Sequence, residues 1–267
     1  MKCIELINHL ERLAPISYAC SWDNPGLLAG RGDKEVRKIY IALDATDQVV
    51  EAAVEEGCDL LLTHHPLIFS AIKQVNDQDF IGRRLVKLIQ ADVSCYSMHT
   101  NFDCAPGCMA DLAADILGLK DRAPLEETGV DASTGKPYGI GVCGKLRQAL
   151  DLKGLALMVK EGFGLPFVNV YGAELFDGQV SRVAICPGAG KGMSGPALAL
   201  GAQVLITGDM GHHDGIDAAA QGLFIMDGGH YGLEHIFMGF MEQYIRERID
   251  SNLVVRTAPK AFPAMAM

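Results

Sequence analysis

Asp59-Leu60-Leu61-Leu62-Thr63-His64-His65-Pro66 is the stretch on which the fold turns. Its apolar run has strand character, and Pro66 stops the strand because proline donates nothing to a ladder. Two adjacent histidines are therefore delivered into the loop at the strand's end. Neighbouring residues on an extended chain point to opposite faces, so consecutive histidines rarely serve one ion together, but leaving a strand end they can serve two. Burying two imidazoles costs several kcal/mol unless both are satisfied, which favours metal ligation over a purely structural pair.

Working outward, Lys38 to Leu43 reads as a strand ending at Asp44, and Asp47 to Glu56 has helical spacing that stops at Gly57, a C-cap. Strand, helix and strand at this spacing make a right-handed parallel βαβ unit. Upstream, Met1 to Ala14 reads as an amphipathic helix. The turn-rich segment Ser21-Trp22-Asp23-Asn24-Pro25-Gly26 holds the one tryptophan, either as a packed loop anchor or as the lining of a site. Downstream, Asp79 caps a helix running through Gln90. A strand over Val93 to Ser97 leads into Met98-His99-Thr100-Asn101-Phe102-Asp103, and a helix follows over Gly107 to Leu117. The polar segment Glu126 to Lys136, with Gly129, Gly135 and then Pro137, is the boundary candidate. The expected domains are residues 1–125 and 126–267, the second opening with a strand (Tyr138 to Leu146), a helix (Leu152 to Gly162) and a strand (Phe167 to Tyr171).

The rest of the chain resembles its beginning. At an offset of 144, Lys38-Ile39-Tyr40-Ile41 meets Arg182-Val183-Ala184-Ile185, and Gly57 to Thr63 meets Gly201 to Thr207. At an offset of 131, His99 meets His230 and Asp103 meets Glu234, which implies a shorter connection in the second copy. A single His-x3-acid match is common by chance; two that share a strand and helix order are not. The expected fold class is α/β, with two similar domains from an internal duplication and a pseudo-twofold site between them.

Four groups follow expected parallel strands: His64-His65, His99 with Asp103, the Gly208 to Asp214 loop, and His230 with Glu234. Ligands gather outside the carboxyl ends of such strands. Imidazole mixed with carboxylate suits Zn, Mn, Fe or Ni, and soft thiolate sites are not indicated. A lone His99 is more often a hydrogen-bonded structural residue, and Asp103 and Glu234 alone would be ordinary solvated acids; their matched placement in the repeat singles them out. His212-His213-Asp214 sits in a Gly-rich loop and stays outside the expected ligand set. Gly190-Lys191-Gly192-Met193-Ser194-Gly195 satisfies GxGxxG, but the helix available is barely two turns long and no acid follows about 20 residues on, so it reads as a structural turn. Ile185 and Gly192 break the alternative phosphate-loop pattern.

The 267 residues carry a formal net charge of -10, which disfavours a protein that holds nucleic acid by neutralising phosphates; small molecules and proteins are the expected partners. Hydrophobic residues at 49% and charged residues at 21% are ordinary for a folded chain. No apolar run approaches the ~18 residues needed to span a bilayer. Eight scattered cysteines without a CxxC pair read as reduced thiols of a cytoplasmic protein.

Trp22-Asp23-Asn24-Pro25-Gly26-Leu27, Thr63-His64-His65-Pro66-Leu67-Ile68-Phe69, His99-Thr100-Asn101-Phe102-Asp103 and Gly229-His230-Tyr231-Gly232-Leu233-Glu234 resemble, in order and spacing, the successive motifs of the Nif-three-like family, whose bacterial members are often called GTP cyclohydrolase 1 type 2 homologues. The resemblance covers nearly the whole chain. It implies a two-metal centre in the cleft of two intertwined α/β domains, with His64, His65, Asp103 and His230 as ligands and Glu234 as the bridge. It also implies self-association into a ring, commonly a hexamer. Under this reading the protein is a hydrolase with two divalent ions per chain, their shared water acting as nucleophile. His99 would shuttle protons, while Trp22, Asp23 and Asn24 line the substrate side. If the cyclohydrolase label applies, the attack falls on C8 of a GTP imidazole ring. The alternative is a metal-binding ring or adaptor without fast turnover.

Overall fold

The structure, a computed structural model, describes residues 1–264. In chain order its elements are α1 (Cys3–Leu13), β1 (Gly26–Ala29), β2 (Lys38–Ala42), α2 (Asp47–Glu55), β3 (Leu60–Thr63), α3 (Phe80–Gln90), β4 (Ser94–Ser97) and α4 (Thr100–Cys104). They continue with α5 (Met109–Ile116), β5 (Lys120–Val130), β6 (Pro137–Leu150), α6 (Leu152–Phe163), β7 (Asn169–Tyr171) and β8 (Val180–Ala189). The chain closes with α7 (Ser194–Ala199), β9 (Val204–Gly208), α8 (His212–Ala220), β10 (Phe224–Asp227), α9 (His230–Glu234), α10 (Ile236–Tyr244) and β11 (Val254–Thr257).

Local chemistry sets these bounds. The apolar stripe of α1 buries Cys3, Leu6, Ile7 and Leu10, the i, i+3, i+4, i+7 spacing of one helix face. Thr46 caps α2 by accepting from Val49 N, and Asp79 and Asp151 do the same for α3 and α6 through Gly82 N and Gly154 N. Gly57, just beyond α2, has φ +64, a left-handed conformation that glycine adopts without Cβ strain. Leu60, Leu61 and Leu62 are fully buried because β3 lies between two parallel neighbours in the middle of its sheet.

The chain divides into two compact units, Met1–Phe102 with Phe237–Ala261, and Asp103–Ile236 with the residues from Phe262 on. The chain therefore passes from one unit to the other at residue 102, inside α4, and returns at residue 237. The polar stretch 126–136, read above as a boundary, lies in the hairpin joining β5 to β6, where Asp131 Oδ1 accepts from Ser133 N and Thr134 N. Turn residues mark a hairpin and a linker alike.

The first unit's sheet has the order β1-β4-β3-β2-β11, with β4, β3, β2 and β11 parallel and β1 antiparallel at the edge. The second unit's sheet runs β5-β6-β8-β9-β10-β7, with β8, β9 and β10 parallel and β7 antiparallel beyond β10. The duplicated pieces thus occupy equivalent places, β2-β3-β4 against β8-β9-β10, down to the antiparallel edge strand. Pairing refines the alignment of the repeat: Thr63 lies opposite Ser97, and Thr207 opposite Asp227. One residue, Met98, then precedes His99, while Gly228 and Gly229 precede His230, so the second copy has one residue more between strand and histidine.

Candidate metal centre

The first unit gathers an imidazole cluster at the ends of β3 and β4. The rings of His64 and His65 lie 5.0 Å apart, His64 and His99 5.3 Å, and His65 and His99 5.6 Å. One ring nitrogen from each of the three lies within 4.8 Å of the others, a group that could hold a metal ion. Each ring is clamped at Nδ1: His64 donates to Met98 O, His65 to Asp44 Oδ1 and His99 to Asp23 Oδ1, each at 2.7 Å. Acceptors with no proton to give fix the Nδ1–H tautomer, which puts the ring lone pair on Nε2. The backbone is pinned as well, since Thr63 Oγ1 and Ser97 Oγ both donate to His65 O.

Asp23 accepts from Thr100 N at 3.0 Å and Thr100 Oγ1 at 2.6 Å as well as from His99, and its side chain is fully buried. Burial alone would raise this carboxyl, but the hydrogen bonds from His99 and Thr100 outweigh it and hold the group at about 2. A folded value below the ordinary 3.8 contributes stability that is present above about pH 4 and lost as pH falls toward 2. We therefore expect the gap in urea midpoint between the native chain and Asp23→Asn to close over that window; a constant gap would contradict the assignment. Trp22 and Asn24 face outward, with Asn24 Nδ2 donating to Ile68 O at 2.6 Å.

The second unit holds the His-carboxylate pair. His230 and Glu234 open and close the single turn of α9, and His230 Nε2 lies 3.0 Å from Glu234 Oε2. His230 Nδ1 donates to Asp209 Oδ2 at 2.9 Å, so its Nε2 lone pair faces a carboxylate. Two such acceptors at that distance call for a proton or a cation between them, and Glu234 is only 3% exposed, where an uncompensated carboxylate is costly. A separation of 3.0 Å also suits two ligands sharing one ion at about 2.1 Å. Asp209 has φ +52, a left-handed backbone that is unfavourable outside glycine, and Gly188, at φ +82, keeps space open where a Cβ would collide with Glu234 Oε1. Asp103, on α4, belongs to this unit. Burial first, then the charges of Asp103 and Glu234, push the Cys186 thiol up, so both carboxylates act on one buried neighbour.

Other sequence candidates fall outside this chemistry. His212 and His213 begin α8 exposed to solvent, and they are not among the metal-capable groups formed by the described residues. The Gly190 to Gly195 turn leads into a helix of 6 residues, and a Cβ at Gly190 would run into the Thr207 side chain, so the glycine serves packing. All eight cysteines are free thiols. Among the described residues, no helix is long and apolar enough to cross a membrane.

A profile of the Duf34/NIF3 family (NGG1p interacting factor 3) matches residues 1–260. The chain belongs to that family. A Clostridium perfringens protein called GTP cyclohydrolase 1 type 2 homolog is 33% identical over 253 residues, covering 95% of this chain and 94% of its own. A Streptococcus pneumoniae protein of the same description is 34% identical, covering 89% and 88%. Among solved structures, a Staphylococcus aureus hypothetical protein superposes with a TM-score of 0.87 at 28% identity over 100% of this chain and 99% of its own. The reduced HcgD protein of Methanocaldococcus jannaschii gives 0.83 at 28% identity over 98% of each chain. The Duf34/NIF3 motifs singled out in the sequence all lie in these two clusters. What sequence reasoning missed was their support: Asp44, Asp209 and Gly188. An acid within two residues of a strand end, as Asp44 and Asp209 both are, was the available signal.

Proposed function

We propose that the chain is a metal-dependent hydrolase in which His64, His65, Asp103, His230 and Glu234 hold two divalent ions. The observation that carries this reading is the clamping of His64, His65, His99 and His230 at Nδ1, which presents Nε2 from a fixed ring in each case. The donor set fits Zn, Mn, Fe or Ni, and the space kept by Gly188 at Glu234 fits a ligated carboxylate. When bound, a pair of divalent ions acidifies a water and polarises a substrate oxygen.

The chain's own residues supply orientation and proton handling. Asp44 and Asp209 hold His65 and His230, while Asp23 holds His99 at Nδ1 and leaves its Nε2 to take and return a proton. Glu234, if it holds metal, would not serve that step.

A broad hydrolase screen of metal-replete protein beside His65→Ala tests the reading. We expect a wild-type activity that the substitution abolishes; its absence would leave the protein as a metal-binding adaptor. Trp22, whose ring lies 6.3 Å from that of His99, supplies a second readout, because Co(II) or Ni(II) at the cluster should quench its emission. Asp44→Asn is expected to shift that quenching to metal concentrations about 10–100-fold higher.

A further inference from the structure

We propose that Trp22 and Phe69 form a stacking subsite for a planar heteroaromatic ring beside His99. The two side chains are 61% and 54% exposed, unusual for rings of this size, and their centroids lie 6.2 Å apart at 61°. Each is also 6.3 Å from the His99 ring, at 78° for Trp22 and 82° for Phe69. The three rings therefore meet edge to face around one place instead of stacking on one another, which leaves aromatic faces for an occupant.

The walls are fixed before anything binds. Asn24 Nδ2 ties the Trp22 loop to Ile68 O, next to Phe69, and Asp23 holds both His99 and Thr100. Little ordering remains to be done on binding, which favours a small rigid ligand. The exposed parts of the two side chains amount to roughly 250 Å², the scale of one ring face and far below the ~800 Å² each partner buries in a stable protein interface. A second copy of this chain is therefore the weaker occupant. Two exposed aromatic faces favour a flat heterocycle such as a nucleobase or pterin, since every such ring has a π-face to stack.

The proposal deepens the hydrolase reading by naming a substrate class, yet ring binding itself needs no metal, so the two can fail separately. Trp22 is the only tryptophan, and its emission reports this place alone. Guanosine and adenosine are titrated into the intact chain, metal-free and metal-loaded, with ribose as the control. We expect saturable quenching by both nucleosides and none by ribose. Phe69→Ala should weaken binding about tenfold and Phe69→Leu less, while Leu157→Ala, another exposed apolar side chain, leaves it in place. Quenching by ribose equal to that by the nucleosides, no saturation, or an unchanged affinity in Phe69→Ala would overturn the proposal. So would a Trp22 emission that depends on protein concentration without nucleoside, the sign that a second copy covers the pair. Hydrolase failure would show instead as nucleoside binding without turnover.

Discussion

A Glu234→Ala variant is expected to carry no divalent metal and to show no hydrolase activity, whereas His65→Ala retains one ion. The asymmetry follows from the two positions. Glu234 is buried, faces His230 Nε2 at 3.0 Å, and shares the Cys186 environment with Asp103, so its loss removes the central negative charge of the second unit's cluster. A carboxylate offers two oxygens and can serve both ions, which one imidazole nitrogen cannot. His65, by contrast, is one of three clamped rings, and His64 keeps its own anchor on Met98 O when His65 is gone. Elemental analysis of the two variants decides the matter: two ions per chain in Glu234→Ala would contradict the bridge, and none in His65→Ala would contradict the division of ligands. Chemical rescue adds a control, since Glu234→Asp should recover part of the metal if a bridging carboxylate is what counts.

Gly208→Ala is expected to be among the most destabilising single-methyl changes in the chain. At this position the first copy has His64, yet in the second copy a Cβ would sit 2.7 Å from His230 Cα and collide with His230 N and the Gly229 carbonyl carbon. These are backbone atoms, which cannot swing aside as a flexible side chain would. We expect a loss of about 3 kcal/mol, seen as a melting temperature lower by about 10 °C, together with weaker metal binding because His230 is pushed off Asp209. Gly57→Ala makes the comparison: φ is +64 but nothing lies within 4 Å of the added Cβ, so only the left-handed backbone cost of about 1 kcal/mol remains. Equal melting temperatures for the two variants would show that the close approach at Gly208 is relieved by backbone adjustment.

Gly208 also shows why the duplication was readable while the division of labour within it was not. The strand skeleton repeats because Lys38–Ile41 and Arg182–Ile185 occupy matching places in two sheets, and hydrophobic pattern records that. The extra glycine ahead of His230 leaves no room at 208 for a histidine, and Asp209 stands where His65 stood. Spacing alone could not reveal that an acid in one copy orients a histidine of its own unit while a histidine in the other is itself oriented. The Asp–His pairs were hidden for a simpler reason: Asp44 is 21 residues from His65 and Asp23 is 76 from His99, distances over which sequence carries no local signal. What could be read from short range, the Pro66 stop, the Asp79 cap and the Gly57 exit, agrees with the structure to within a residue or two.

The first unit's discontinuity has a consequence for synthesis. Phe102 packs on Phe237 at 5.0 Å, and β11 pairs with β2, so the sheet begun by residues 38–42 gains its last strand only when residues 254–257 exist. At ribosomal rates of ~5–20 residues per second, the 134 residues between those two phenylalanines take on the order of ten seconds. During that interval the second unit, continuous from Asp103 to Ile236, can fold as it emerges, while β2 waits with an open edge and His64 lacks the Phe237 ring that lies 5.3 Å away in the finished unit. The nascent chain thus has most of its second unit in hand before the first unit's sheet can close. A translational pause placed between 237 and 254 would prolong the time for which the β2 edge stays open, with only β3 paired to it.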